Sequence, residues 1–381
     1  MTVISASDAH HLARTLELAA LRTGRVSPNP LVGAVIARGD EVVGEGYHHQ
    51  LGAPHAEREA IRDAHERGGN LAGATIYVSL EPCCHHGRTP PCTDAILEAG
   101  LRRVVIAAED PSEHAGGRGL GILREAGVEV LVAEGSVAQA ARLQNQSFRK
   151  YARTGMPWVL HKTAMSLDGK VATRSGDSKW ISGPQSRALV HNWRAGCDAI
   201  AVGIGTVIAD DPALTARLLS EAGEPLGARQ PQRVIFDSLA SLPLKARLFD
   251  DLELAPLTVI VSRAAPRSAT DTLKSHGVEV VVAGGENEPA RVRSALTQLG
   301  AKGITSIMLE GGPRLAGAFL DAGQIDASRI FVAPLIIGGK GARDPFESQG
   351  AATVSEALRP LALDYETSGE DLLINARITE W

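Results

Sequence analysis

Residues 81–92 read EPCCHHGRTPPC, three cysteines and two histidines within twelve positions. Upstream lies PHAERE (54–59), in which His55 and Glu57 stand two residues apart. Pro54 suits the start of a helix, and the alanines and isoleucine that follow support one. From such a first turn both side chains can reach a site located off the helix end. In the cysteine stretch Pro82 precedes Cys83, Gly87 breaks the chain, and Pro90-Pro91 introduces Cys92 at the head of CTDAILEAG. This reading puts three candidate ligands, His55, Cys83 and Cys92, at helix beginnings, where backbone N–H groups and the helix dipole favour thiolate.

Two thiolates and one neutral imidazole balance the charge of Zn²⁺ and leave a fourth position for water, whose pKa the metal lowers toward neutrality. Glu57 can then take a proton from that water and return it to a leaving nitrogen. An H-x-E element followed by P-C-x-x-C is the signature of zinc deaminases. Here eight residues, not two, separate Cys83 from Cys92. A structural zinc with a fourth protein ligand, Cys84 or His85, is the competing reading, and cysteine spacing alone does not choose between them. The H-x-E element favours catalysis, because a structural site has no use for a carboxylate beside its ligand. His48, His49, His65, His85 and His86 read mostly as surface residues, with His85 or His86 able to line a substrate pocket.

The rest of the chain frames this site. Its 381 residues suggest two domains, and 44% apolar with 22% charged residues fits globular protein with sizeable cores. The net charge of −5 and an aromatic content of 4% argue against a nucleic-acid partner. No apolar run approaches the ~20 residues of a membrane span, and the N-terminus lacks a signal-peptide core, which points to the cytoplasm. Of the four cysteines only Cys197 lies outside the cluster, so no disulfide framework is expected, and Cys197 reads as a core residue.

Strand-like runs at 31–37, 74–80, 102–108 and 128–133 alternate with helical segments at 55–67, 91–99 and 117–126. That alternation predicts a largely parallel sheet covered by helices on both faces. A polar helical stretch (136–155) closing on Gly155 marks the passage between domains, 1–154 and 155–381. From 158 the alternation restarts, with strands at 198–203, 233–237, 257–262, 278–283, 304–310 and 329–337 and helices at 184–195, 268–276, 289–299 and 313–322. The glycine- and alanine-rich stretch 219–229 reads as an exposed loop.

Taken together, VSPNPLVGAVI, GYHHQLGAPHAE, LEPCCHHGRTPPC, MSLDGKVAT, ADDPALTAR and LEGGPRLAG resemble the bifunctional riboflavin-biosynthesis deaminase/reductase family, in the right order over nearly the whole chain. Members carry the long cysteine spacing. The resemblance implies an α/β chain of two domains, an N-terminal cytidine-deaminase-like sandwich and a C-terminal dihydrofolate-reductase-like domain. It implies zinc on His55, Cys83 and Cys92, proton transfer by Glu57, and Cys84 as a supernumerary thiol where the family usually has serine. Asn29 falls where an amide would face the pyrimidine, although a turn asparagine between two prolines explains it equally well. The implied reactions are hydrolytic loss of the 2-amino group from a diaminopyrimidinone ribosylamine phosphate, then NADPH-dependent reduction of its ribosyl group to ribityl. Small phosphorylated pyrimidines are the expected partners, and a homo-oligomer the expected assembly.

In the second half, LEGGPRLAG (309–317) reads as strand, two glycines and a proline-started helix, which can bring backbone amides close to a phosphate. An ordinary glycine turn accounts for the motif as well, and it is not the dinucleotide fingerprint. The resemblance assigns Gly312, Pro313, Arg314, Leu315, Ala316, Gly317 and Ala318 to NADPH, together with Ala164, Trp180, Thr206, Asp210 and Ser238. It assigns Ser178, Arg194, Leu214, Arg217 and Glu310 to substrate. Arg194 and Arg217 suit the 5′-phosphate because guanidinium forks match its oxygens. Lys162 is a further candidate for contact with the reacting sugar, and Asp168 in SLDG reads as a turn residue before Gly169.

Overall fold

The protein is described here from a computed structural model, over residues 4–86, 90–112, 115–220, 225–227 and 229–381. The chain divides into two compact units, Met1–Gly155 with Trp381 and Met156–Glu380.

The first unit runs α1 (Ala6–Ala20), β1 (Gly33–Arg38), β2 (Glu41–Tyr47), α2 (Ala56–Glu66), β3 (Thr75–Val78), α3 (Cys92–Glu98), β4 (Arg103–Ile106), α4 (Arg118–Glu125), β5 (Glu129–Val132), α5 (Gly135–Gln144) and α6 (Gln146–Thr154). Its sheet has the order β2-β1-β3-β4-β5. Only β3, β4 and β5 are parallel, while β1 is antiparallel to both β2 and β3. The largely parallel sheet read from sequence is thus half right, because β2 (EVVGEGY) is too polar and glycine-rich to register as a strand and returns from β1 by a tight turn. Helices do cover both faces: alanines of α2 with Ile96, Leu120 and Leu123 on one, Leu12 and Leu18 of α1 with Ala138 and Ala141 of α5 on the other. Gly46 matters for the site. A Cβ there would lie 2.3 Å from the Ala60 nitrogen and 2.4 Å from the Ala56 oxygen, so only glycine lets the start of α2 lie flush on β2.

The second unit runs β6 (Trp158–Ser166), α7 (Pro184–Gly196), β7 (Ala199–Gly203), α8 (Ile204–Asp210), β8 (Leu218–Leu219), β9 (Pro225–Leu226), β10 (Gln232–Phe236), β11 (Leu257–Val261), α9 (Arg267–Ser275), β12 (Glu279–Val282), α10 (Glu288–Ala301), β13 (Ser306–Leu309), α11 (Pro313–Asp321), β14 (Ala327–Ala333), β15 (Ala362–Ser368) and β16 (Asp371–Arg377). Nine strands form one sheet in the order β12-β11-β10-β7-β13-β6-β14-β16-β15. It is parallel up to β14, and β16 joins antiparallel to β14 and to β15. The sequence reading missed this terminal hairpin and the short α8. The stretch read as an exposed loop (219–229) is exposed at Leu226, Gly227 and Arg229 but also carries part of the short β8·β9 pair, and residues 221–224 and 228 lie outside the described residues. Cys197 is buried against Leu160, Phe331 and Leu373.

Candidate active sites

His55 is the residue immediately before α2 and Cys92 the first residue of α3. Cys83 departs from the expected helix beginning: it sits in an irregular segment, pinned because its carbonyl accepts from the N–H groups of Cys92 (3.0 Å) and Thr93 (3.2 Å). The role read for Gly87 lies outside the described residues. Helix α3 still serves the predicted purpose, since the Cys92 N–H points at the Cys83 sulfur, 3.4 Å away.

The His55 Nδ1 lies 3.4 Å from the Cys83 sulfur and 3.3 Å from the Cys92 sulfur, and the three ligand atoms all fall within 4.8 Å of one another. Zinc–sulfur and zinc–nitrogen bonds of about 2.3 and 2.0 Å at tetrahedral angles place N and S about 3.5 Å apart, so these residues fit the ion. Their electrostatics agree. The Cys92 hydrogen bond and the neighbouring His55 bring the Cys83 thiol down to about 4, while the same thiolate and burial push Cys92 up. His85 and His86 are exposed and Cys84 is outside the cluster, its thiol raised by burial and by the Glu81 carboxylate.

Glu57, in the first turn of α2, is 3% exposed, and its Oε2 has no hydrogen-bond partner among the described residues. Burial, followed by the charge of Cys83, lifts its carboxyl from 4.5 to about 7. A carboxyl poised near neutrality in a dry site is equipped to exchange protons. Asn29 reaches the same region: its Nδ2 donates to His48 Nε2 at 3.1 Å, and His48 Nδ1 donates to the Pro54 carbonyl at 3.1 Å. The His48 ring meets the His55 ring edge-on at 5.4 Å. The sequence reading left His48 on the surface, whereas it is buried. An Asn in a proline turn and a His after a strand carry no signal that they will meet.

In the second unit a cavity of about 1200 Å³ opens at the C-terminal ends of β6, β7, β10 and β13. Open α/β sheets bind ligands at that edge. Of the residues assigned by resemblance, Ala164, Ser178, Trp180, Arg194, Thr206, Asp210, Leu214, Arg217, Ser238, Glu310, Gly312, Pro313, Arg314, Leu315 and Ala318 line it, as does the further candidate Lys162. Ala316 and Gly317 do not. Ala316 is buried in the helix, and Gly317 packs on residue 347, where a Cβ would come 2.0 Å from the carbonyl oxygen. Gly312 precedes α11 and Pro313 is its first residue, so the free N–H groups of a nine-residue helix face the cavity. With that anion-binding end and a volume above the usual ~300–1,000 Å³ of a small-molecule pocket, the cavity fits a dinucleotide together with a second ligand.

The Arg194 guanidinium is committed within the protein: Nε and Nη2 donate to the two Glu310 oxygens at 2.6 and 2.8 Å, and Nη1 donates to the Thr215 carbonyl at 3.1 Å. Three of its five N–H donors are thus spent within the protein. Burial pushes the Glu310 carboxyl up, but Arg194, with help from Lys162, outweighs it and holds the group below its ordinary value. Lys162 is lowered by burial, opposed by the attraction of Glu310. Arg217 retains partial exposure and touches His191, whose Nε2 is 3.1 Å from Arg217 Nη2 and whose Nδ1 accepts from the Arg217 N–H at 3.3 Å. Burial and the two arginines bring His191 to about 4, so it is neutral and can accept. His191 was missed because a histidine three residues before Arg194 on a helix looks like any surface residue. Asp168 accepts from the Ser166 hydroxyl and the N–H groups of Ile337 and Gly338, tying two loops together.

Residues 6–108 match the cytidine and deoxycytidylate deaminase zinc-binding region, and residues 157–374 match the RibD C-terminal domain. The chain is 39% identical over 369 residues to the riboflavin biosynthesis protein RibD of Actinobacillus pleuropneumoniae, covering 97% of this chain and 95% of that one. The chain belongs to the bifunctional riboflavin-biosynthesis deaminase/reductase family. A solved structure of Acinetobacter baumannii RibD is similar at 37% identity and a TM-score of 0.85, over 98% of this chain and 99% of that chain. The Thermotoga maritima diaminohydroxyphosphoribosylaminopyrimidine deaminase/5-amino-6-(5-phosphoribosylamino)uracil reductase is similar at 36% and 0.81 over the same shares. The chain is therefore an enzyme of riboflavin biosynthesis with a cytidine-deaminase-like first half and a reductase second half of dihydrofolate-reductase-like fold. The deaminase half holds the zinc-binding His55/Cys83/Cys92 cluster, and the reductase half implies a reduced nucleotide cofactor. Among the described residues no helix is long and apolar enough to cross a membrane.

Proposed function

We propose that the first unit hydrolyses the 2-amino group from 2,5-diamino-6-(5-phosphoribosylamino)pyrimidin-4(3H)-one. The second unit then reduces the ribosyl group of 5-amino-6-(5-phosphoribosylamino)uracil to ribityl with NADPH, and the chain works in the cytoplasm as a homo-oligomer. The observation that carries the reading is the buried, unpartnered Glu57 carboxyl beside three residues whose spacing suits zinc.

Zinc on His55, Cys83 and Cys92 would supply a Lewis acid and a water acidified toward neutrality. Glu57 Oε2 takes a proton from the attacking water and hands it to the leaving amino nitrogen, its carboxyl raised by burial toward the range in which it can both gain and lose a proton. Asn29, its Nδ2 held by His48, orients the pyrimidine, and burial of His48 and Glu57 keeps bulk water out.

In the second unit NADPH would supply the hydride for C1′ of the sugar. The α11 N-terminus with Gly312 to Leu315 binds its phosphate charge, and Ala164, Trp180, Thr206, Asp210, Ser238 and Ala318 line its remaining contacts. Lys162 stands beside the reacting sugar and Glu310, fixed by Arg194, contacts it as a carboxylate. Ser178 and Leu214 shape the substrate end. Arg217, whose backbone N–H donates to His191 Nδ1, takes the 5′-phosphate. The test is incubation with the diaminopyrimidinone phosphate with and without NADPH. Ammonia release in both arms with NADPH oxidation only when it is present supports the reading; no ammonia from zinc-replete protein refutes it.

A further inference from the structure

Arg233, on β10, is 0% exposed and is the largest fully buried side chain among the described residues. Its neighbours across the sheet, Ile200 on β7 and Leu257 on β11, belong to an apolar core that also takes in Leu214 and Leu248. A guanidinium keeps its charge even there, and a buried charge needs partners. Every hydrogen bond that Arg233 makes among the described residues goes to a backbone carbonyl. Its Nη1 donates to Ala213 at 3.4 Å, and its Nη2 donates to Asp251 at 3.4 Å and to Ala255. Its Nε has no partner among those residues, and the charges of Asp251 and Asp250 attract it only from a distance.

Stability alone is a poor reason for such a residue, since apolar side chains of similar volume often replace buried ionic groups without loss. What distinguishes Arg233 is that its fork grips two loops at once, 250–255 and 211–217. The second loop is strained. Asp211 and Leu214 have φ of 42° and 52°, left-handed values that a leucine above all avoids, and Ala213, whose carbonyl Arg233 holds, lies between them. The rest of the loop is tied down from other elements. The Arg247 N–H donates to the Asp211 carboxylate at 2.9 Å, and Arg194 Nη1 donates to the Thr215 carbonyl at 3.1 Å. The Gln230 amide closes on both the N–H and the carbonyl of Ala216, at 2.8 and 2.9 Å, and the Arg217 N–H reaches His191 Nδ1 at 3.3 Å. The side chains of Leu214 and Arg217, which this backbone carries, line the cavity.

We infer that Arg233 is a positioning residue for the reduction: from the core it holds the 211–217 loop in its strained shape before substrate arrives, so that Leu214 and Arg217 meet the phosphorylated pyrimidine at fixed places. A loop freed to relax Leu214 to an ordinary φ would redirect both side chains and would have to be ordered again at each binding event, which weakens binding. The planar fork suits the task, because it directs separate N–H groups at carbonyls on two loops, whereas an ammonium is a point charge. The inference rests on the reductase reading above and on the substrate roles given there to Leu214 and Arg217.

Steady-state kinetics of the full chain with 5-amino-6-(5-phosphoribosylamino)uracil and NADPH tests it. Arg233→Met keeps an unbranched chain of similar length and suits the apolar surroundings. A purely structural role would shrink the active fraction, lowering kcat at unchanged KM. A positioning role should instead raise KM for the pyrimidine roughly 10- to 100-fold, leaving NADPH affinity and ammonia release by the first unit as in wild type, and Arg233→Lys should not restore it. If Arg233→Met does not fold, Gln230→Ala takes its place, since it loosens the same loop without touching the core, and should raise the same KM. Hydrogen exchange on ligand-free wild type needs no variant: the Ala216 and Arg217 amides should be protected far beyond those of an open loop. Wild type that oxidises no NADPH with this substrate overturns the reductase reading and the inference together. An unchanged KM in the folded variant, or unprotected Ala216 and Arg217 amides in an active wild type, overturns the inference alone.

Discussion

Glu57 is expected to destabilise the fold it serves, and the pH dependence of that cost follows from its environment. Its carboxyl rises from 4.5 to about 7 because burial and the Cys83 charge disfavour the ionised form. Below pH 4.5 the group is protonated in both folded and unfolded chains and contributes nothing. Above that the unfolded chain ionises while the folded one keeps its proton, so stability falls until the pH passes 7. A rise of that size corresponds to about 3 kcal/mol. Glu57→Gln removes the titration. Metal-stripped wild type and variant should therefore differ by a constant offset near pH 4, and the variant should gain about 3 kcal/mol relative to wild type by pH 8. An unsatisfied amide in the variant would cost ~1–3 kcal/mol, but equally at every pH, so it leaves the slope untouched. Urea unfolding at several pH values, read by amide exchange in α2, provides the measurement. A stability difference that does not change between pH 4 and pH 8 would refute the reasoning, because it would mean the carboxyl is not raised in the folded state.

The same Glu57→Gln variant should stop ammonia release while NADPH oxidation with already deaminated intermediate continues, a split that assaying both reactions on one preparation reveals. Cys84→Ser should keep one zinc per chain and most deaminase turnover, whereas Cys83→Ser and Cys92→Ser should each lose metal or turnover; metal analysis alongside ammonia release decides. Arg194→Ala should cost ~3–5 kcal/mol of second-unit stability by leaving Glu310 buried and unpaired, with reductase activity lost and deaminase activity kept. Arg194→Lys should not restore it, since a point charge does not replace a bidentate fork. Arg217→Ala should raise KM for the phosphorylated intermediate by the ~1.5–3 kcal/mol of one charged contact without changing NADPH affinity, and an unchanged KM would count against its phosphate role.

What the sequence made legible was local chemistry. The ligand trio, the buried carboxyl two residues after His55 and most of the α/β alternation could be read because each depends on a few neighbouring residues, such as Pro54 before His55 or Pro91 before Cys92. The antiparallel β1–β2 pair escaped because Gly44 and Gly46, required by the close approach of α2, remove the apolar alternation that announces a strand. The terminal hairpin escaped for the opposite reason. Its alternation is present, but it turns its apolar side away from its own domain, so the pattern points to no core. His48 and His191 became visible only through partners 19 and 26 residues away, on elements that nothing in the sequence joins.

The two sites answer the burial of a carboxyl in opposite ways, and that difference separates their roles. Glu57 has no guanidinium or ammonium paired to it and no hydrogen-bond partner for Oε2 among the described residues, so burial and the Cys83 charge outweigh the opposing pull of His55 and lift the group to about 7. Glu310 is only slightly more exposed, yet Arg194 donates to both its oxygens and Lys162 adds its attraction, so attraction outweighs burial and the carboxyl is held below its ordinary value. A group locked in one charge state cannot shuttle protons; it can fix a cationic neighbour and a hydroxyl-bearing substrate in place. Arg194 thus holds Glu310 in place, and Glu310 in turn opposes the burial that lowers Lys162, while the Arg194 charge itself adds to that lowering. Arg217, which is exposed and lines the same cavity with none of its donors tied to a carboxylate among the described residues, is the guanidinium we propose for the substrate's phosphate.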